Sequence, residues 1–214
     1  MRLTIQESKA EKKKSEKEEK DEDIPSFARS PKSFFIELIK IVLIALVVIV
    51  PIRYFLFQPF YVRGASMEPN FYDNEYLIID EITYRFTEPQ RGDVVVVKAT
   101  TNESDYLIKR IIGLPGETVK IKDGEVLIYY PGDKAGNLLN ESYLAEDIQT
   151  FGAKDITLGE NEYYVMGDNR PVSLDSRSFG PLPKDNIIGR AWLRVWPFDA
   201  MSHFTTPQIN FVTE

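Results

Sequence analysis

Three stretches of this chain carry side chains whose types and spacing could do chemistry. Ser66 lies in Gly64-Ala65-Ser66-Met67-Glu68-Pro69. The two small residues before it let another backbone approach closely, and Gly64 permits unusual backbone angles. Lys109 begins Lys109-Arg110-Ile111-Ile112-Gly113-Leu114-Pro115-Gly116-Glu117. Alternate residues of a strand share a face, so Lys109 sides with Leu107 and Ile111 while Arg110 points the other way. If that face is inward, the ammonium loses its water and its pKa falls by about 3–5 units from about 10.4. A lysine titrating near neutrality can take the proton of a serine hydroxyl. The third stretch runs from Gly167-Asp168-Asn169-Arg170 through Ser173 and Asp175-Ser176-Arg177 to Gly180. Such a dense polar loop needs many specific hydrogen bonds. Asp168 with Arg170 and Asp175 with Arg177 are expected to pair, and Ser173 is a candidate for holding the lysine amine. Each stretch alone also has a plainer reading: a serine in a glycine-rich loop, a lysine on an exposed edge strand, a structural polar loop.

The elements around them read as an anchor followed by a β-rich body. Residues 1–32 include a Lys/Glu-dominated run, Glu7 to Asp23, too poor in apolar groups to offset its ordering entropy. A disordered tail is expected, with a lone charged helix as the alternative. Residues 33–57 are expected to be one transmembrane helix. Their unbroken apolar core, Ile41 to Ile52, is short, but the segment Phe34 to Phe57 at 1.5 Å per residue spans about 36 Å, enough for a bilayer core of about 30 Å. Arg29 and Lys32 favour a tail inside and a body outside. Ser66 follows Phe57 so closely that it must lie near the membrane surface, within about 30 Å of extended chain.

From residue 58 to 214, short β-branched and aromatic runs alternate with Gly/Pro turns. Strands are expected at Tyr76–Asp80, Val94–Lys98, Tyr106–Ile112, Thr118–Ile121, Val126–Tyr130, Glu162–Met166 and Ile187–Val195. The polar stretch at about 131–160 reads as a small irregular insert. The formal net charge of −7 argues against a nucleic-acid partner. The chain has no cysteine and a single histidine, His203. Thiolate chemistry and a two-histidine metal site are excluded; no metal or cofactor is expected. A serine–histidine–acid triad would have to use His203, which has no acidic context.

Together, Ser66-Met67-Glu68-Pro69, Arg91-Gly92-Asp93-Val94-Val95-Val96, Lys109 through Glu117, and Gly167 through Gly180 resemble the type I signal peptidases, in that family's order and after a membrane anchor. The resemblance covers about residues 34–200. It implies a mostly antiparallel β body and a membrane-bound serine endopeptidase that removes signal peptides from secreted preproteins. It implies Ser66 as nucleophile and Lys109 as general base, then acid, in an acyl-enzyme mechanism. Ser173 would hydrogen-bond the amine, and Asp175 and Arg177 would support the site. It further implies small residues at substrate positions −1 and −3, a substrate docked as an added strand, and a catalytic body on the extracytoplasmic face of the plasma membrane.

Two positions depart from the pattern. Asn70 stands where the family often has threonine, with little effect expected. Gly64 stands where some members carry an oxyanion-donating hydroxyl. The oxyanion donors would then be backbone groups, Ser66 N–H chiefly and Gly64 secondarily. Phe60, Met67, Trp192 and Trp196 are candidates for contact with the membrane surface. The rival readings are a non-catalytic β module that presents preproteins, which would be expected to lack a dyad member, and a self-cleaving regulator, which would need a DNA-binding segment.

Overall fold

The computed structural model describes residues 31–55, 57–100, 105–145, 148–152, 155–206 and 209–212. The expected charged tail lies almost wholly outside the described residues. The chain divides into two compact units after Ile52.

The first unit is dominated by helix α1 (Pro31–Phe55), 25 residues long. Its stretch Lys32–Val50 has a mean hydropathy of 2.8. Its apolar side chains are exposed around the helix; Ile44 and Val47 are 65% and 71% exposed. A helix apolar on all sides suits a lipid environment, and about 37 Å of length suits a bilayer core.

The second unit holds strands β1 (Phe57–Tyr61), β2 (Tyr76–Asp80), β3 (Val94–Lys98), β4 (Tyr106–Gly113), β5 (Thr118–Lys122), β6 (Glu125–Tyr129), β7 (Asn137–Leu138), β8 (Ile156–Thr157), β9 (Glu162–Met166), β10 (Leu182–Pro183), β11 (Ile187–Trp196) and β12 (Ser202–His203), with a short α-helix, α2 (Ser176–Phe179), and several 3-10 turns. The larger sheet runs β1-β2-β11-β3-β4-β9-β10, with β12 on β11; the smaller runs β7-β6-β5-β8. Among the described residues these strands all pair antiparallel.

The unbroken valines of β3 follow from its central place, because both faces of the strand are covered. Val94 and Val96 pack with Val62, Met67, Phe71, Leu77, Ile79 and Ala191. Val95 and Val97 face Ile111, Tyr163, Val165 and Leu182. β4 then feeds the smaller sheet, whose core joins Ile112 to Val119, Val126, Ile128, Leu158, Tyr164 and Met166. After β12 the chain straps both cores. Phe204 packs on the first, the Thr206 hydroxyl bonds Asp93, and Ile209 and Phe211 pack on the core of the smaller sheet. Asn140 N–H donates to Asn210 O and Val212 N–H to Leu138 O, each at 2.9 Å.

All seven expected strands form, with ends shifted by no more than one residue. Phe57 belongs to β1 rather than to the anchor. The stretch expected as an irregular insert supplies β7 and β8, the edges of a sheet that already begins at Thr118. Two-residue edge strands carry too little periodicity to read. Met67, expected near the membrane surface, is 1% exposed and belongs to the core. Phe60 and Trp192 are half-buried. Trp196 is 46% exposed and stacks edge-on with Phe198, itself 71% exposed.

Gly113 marks the junction between the sheets. A Cβ there would meet Val119 Cγ2 at 2.5 Å and both Leu158 Cδ1 and Tyr164 Cβ at 2.9 Å. Gly113→Ala is therefore expected to destabilise the protein by about 1–3 kcal/mol, the usual cost of overpacking, seen as a lower urea midpoint in detergent with the slope unchanged.

Candidate active site

Ser66 sits in a compact turn. Glu68 N–H donates to Ala65 O at 3.3 Å, and the N–H groups of Asn70 and Phe71 both donate to Met67 O at 3.0 Å. Gly64 enters the turn at φ +86°, a left-handed angle that favours glycine. Its N–H donates to Asp73 Oδ1 at 2.7 Å. This corrects the expectation for Gly64: its N–H is committed to its own loop and does not point a free hydrogen at a substrate oxygen. Among the described residues the Ser66 N–H donates to no other group.

Lys109 Nζ donates to Ser66 Oγ at 2.8 Å and to Ile108 O at 2.7 Å. The residue is 2% exposed. Its cross-strand partner is Val95, which is fully buried. Burial brings the amine down from 10.5 to about 8, opposed by the negative charges of Asp175 and Asp168 and aided by Arg177. The serine hydroxyl therefore has an amine beside it that loses its proton only slightly above neutrality. His203 instead packs edge-on against Trp192 on β12.

The loop after β9 frames this pair. Asn169 N–H donates to Ser66 O at 3.0 Å. Asp175 caps α2 through Arg177 N–H and accepts from Gly167 N–H at 3.1 Å. Arg177 grips it from the side, Nε to Oδ1 at 2.8 Å and Nη2 to Oδ2 at 2.7 Å. Burial alone would raise the Asp175 carboxyl; the Arg177 hydrogen bonds and charge outweigh it and hold the pKa below the usual value. The expected Asp175–Arg177 pair is thus present.

The expected Asp168–Arg170 pair is not. Asp168 receives Arg110 Nε at 2.8 Å and Nη2 at 2.6 Å, because β4 brings Arg110 beside the end of β9. Arg170 turns away, donating Nε to Gly167 O at 3.0 Å and pairing with Glu141. Ser173 lies beside Ser66, and its buried hydroxyl faces the Asp175 carboxylate, which it helps to hold below its usual pKa, rather than the Lys109 amine. It does not hold the amine in this conformation; Ile108 O fills that role.

Several contributors escaped the sequence reading. Gly167 has no room for a side chain, since a Cβ would collide with Ser173 Oγ and Ser66 O. Its position ahead of the acidic loop was the only available signal. Tyr143 and Glu141 join the same network from far along the chain, and nothing local announces them; Asn70, noted above only as a departure from the family pattern, joins it through Asp168. The Arg91 stretch also has a visible job: Arg91 Nη2 meets Glu117 Oε1 at 2.5 Å, while Gly92 O accepts Arg110 Nη1 at 2.9 Å. No group of three or more acidic, histidine or cysteine residues able to hold a metal occurs among the described residues.

The family model "Signal peptidase, peptidase S26" matches residues 35–196. A probable signal peptidase I-2 of Synechocystis sp. is 36% identical over 86% of this chain and 80% of its own length. Signal peptidase I P of Bacillus subtilis subsp. natto is 35% identical, over 80% and 95%. Signal peptidase IB of Staphylococcus aureus is 31% identical, over 83% and 97%. A solved signal peptidase I from Enterococcus faecalis V583 aligns with 49% of this chain and 97% of that one at 30% identity and a TM-score of 0.39, so the assignment rests on the sequence matches. The chain belongs to the signal peptidase, peptidase S26, family, and it is a serine peptidase.

Proposed function

We propose that this membrane-anchored enzyme removes N-terminal signal peptides from secreted preproteins with a serine–lysine pair. The observation that carries the reading is the 2.8 Å contact between the buried Lys109 amine and the Ser66 hydroxyl. In the neutral form the amine accepts the hydroxyl proton as Ser66 Oγ adds to the scissile carbonyl. The oxygen that becomes negative takes a hydrogen bond from Ser66 N–H. The ammonium of Lys109 then gives its proton to the departing amine, leaving an ester on Ser66. Lys109 next deprotonates a water that attacks the ester, and its proton returns to Ser66 as the new carboxylate end leaves. Asp175 and Arg177 hold the loop in place, and Ser173 is assigned to the amine as it turns between donor and acceptor.

The substrate is read as an extended segment with small residues at −1 and −3. Two observations support this. Along β4, pairing with β9 begins only at Arg110, so Tyr106–Ile108 keeps an edge with no strand partner among the described residues, open to an added strand. Phe60 and Ile108 border the adjoining core from the outside. The tail is assigned to the cytoplasm and the β body to the extracytoplasmic face. Trp196 and Phe198 are assigned to the membrane surface, where aromatic side chains are enriched.

In detergent, Ser66→Ala is expected to abolish cleavage of a peptide with alanine at −1 and −3, with circular dichroism unchanged. Lys109→Arg should be equally inactive, because guanidinium stays charged; an active Lys109→Arg enzyme would exclude the neutral-amine role.

The acid limb of kcat/KM should rise with pH and level off above about 8. Folded Lys109 gives up its proton more readily than unfolded Lys109, so its burial cost is complete below about 8 and vanishes as pH climbs toward 10.5. Lys109→Met is thus expected to raise the denaturation midpoint at pH 7 while killing activity, with the gain fading across that window.

Gly167→Ala should lower kcat by about 100-fold while leaving a folded protein, since displacing the serine by about 1 Å is enough to cost that much. Single-turnover kinetics together with far-ultraviolet circular dichroism separate the two effects.

A further inference from the structure

Asn70 closes the serine turn, and its side chain reaches out of it in two directions. Nδ2 carries two hydrogens. One goes to Asp168 Oδ2 and one to the main-chain carbonyl of Tyr143, each at 2.9 Å. The main-chain carbonyl of Asn70 accepts Arg194 Nη2 at 2.6 Å. The carboxylate that receives Asn70 is the one gripped by Arg110, the residue after Lys109. The same loop gives Asn169 N–H to Ser66 O. The serine turn is therefore tied at its start by Asn169 and at its end by Asp168, and Asp168 is itself tied to the strand bearing the base.

Tyr143 completes the arrangement from the smaller sheet's side of the chain. Its ring lies over the Arg110 guanidinium at 4.2 Å. Its hydroxyl donates to Glu141 Oε1 at 2.6 Å and accepts from Arg170 Nη2 at 3.0 Å. A hydroxyl side chain at position 70 has one hydrogen to donate. Asparagine has two, so a single side chain can hold both Asp168 and the Tyr143 carbonyl.

We propose that Asn70 is a positioning residue that, by bridging Asp168 and the Tyr143 carbonyl, fixes the turn presenting Ser66 to Lys109 and so recruits the 141–145 segment into the catalytic framework. The inference rests on the reading of Ser66 and Lys109 as the reacting pair. Asn70 touches neither reacting atom; it acts through the turn.

The test uses the full chain in detergent and a peptide with alanine at −1 and −3. Asn70→Ala is expected to lower kcat by about 10- to 100-fold, the scale of a misplacement of up to 1 Å, with KM little changed. The acid limb of kcat/KM should move to higher pH, because a loosened turn lets water reach the Lys109 amine. Asn70→Thr keeps one donor, so kcat and the limb should return most of the way. A residue that merely stabilised the fold would reduce the folded fraction and leave the limb where it was. Wild-type kcat with an unmoved limb in Asn70→Ala overturns the proposal, and so does a loss confined to KM. If Asn70→Ala does not fold, Asn70→Leu, similar in size but with no donor, takes its place, and wild-type kcat with an unmoved limb there overturns the proposal. Ser66→Ala is run in parallel: activity there would overturn the reading of the reacting pair instead.

Discussion

Everything in the site follows from keeping one ammonium out of water without giving it a carboxylate. A free lysine binds its proton until about 10.4, and a direct acidic partner would hold it there. The two nearest acids, Asp168 and Asp175, are each gripped by an arginine, Arg110 and Arg177, through two hydrogen bonds. Lys109 is left to donate to a hydroxyl and a carbonyl. Such neutral acceptors soften the burial cost without cancelling it. That cost is about 3 kcal/mol at neutral pH for a shift of this size, a sizeable part of what a domain has to spare. The arginine pairs therefore do more than hold a loop; they withhold negative charge from the Lys109 amine.

The β scaffold makes this possible through where strands stop. β9 pairs with β4 from Arg110 onward and ends at Met166. Lys109 falls at that ending, and the serine turn and Gly167 meet there in place of further strand. A backbone this close admits no side chain at Gly167. The valines of β3, covered on both faces, keep the central strands fixed while β4 passes from the larger sheet to the smaller. Precision at the Ser66–Lys109 contact is thus inherited from regular elements, and the loops supply only the last few ångströms.

The parts of this architecture that were legible in the sequence are those encoded locally. The valine run, the other β-branched and aromatic runs and the Gly/Pro breaks located strands because strand composition and turn chemistry are set over a few residues. Lys109 between Leu107 and Ile111 suggested burial, and the structure buries it. The pairing of Asp175 with Arg177 was legible because only Ser176 separates them. What failed was long-range or depended on hydrogen-bond choice. Asp168 had Arg170 two residues away, yet Arg110 wins because the sheet register delivers it from 58 positions off. Gly64 looked like an available donor, but Asp73 takes its N–H. The smaller sheet hid its edges in β7 and β8, which are too short for any period to show.

The strap after β12 has a bearing on how the molecule can be handled. Phe204 belongs to one core and Phe211 to the other, with Thr206 and Asn210 bonded along the way. Clipping the chain between His203 and Phe204 would strip an aromatic from each hydrophobic centre at once and unlatch the larger sheet from its neighbour. Affinity handles and fluorescent fusions at this end therefore need a spacer that leaves the Phe211–Leu139 bridge intact, and trimming by a protease there would read out as weakened cooperativity between the sheets.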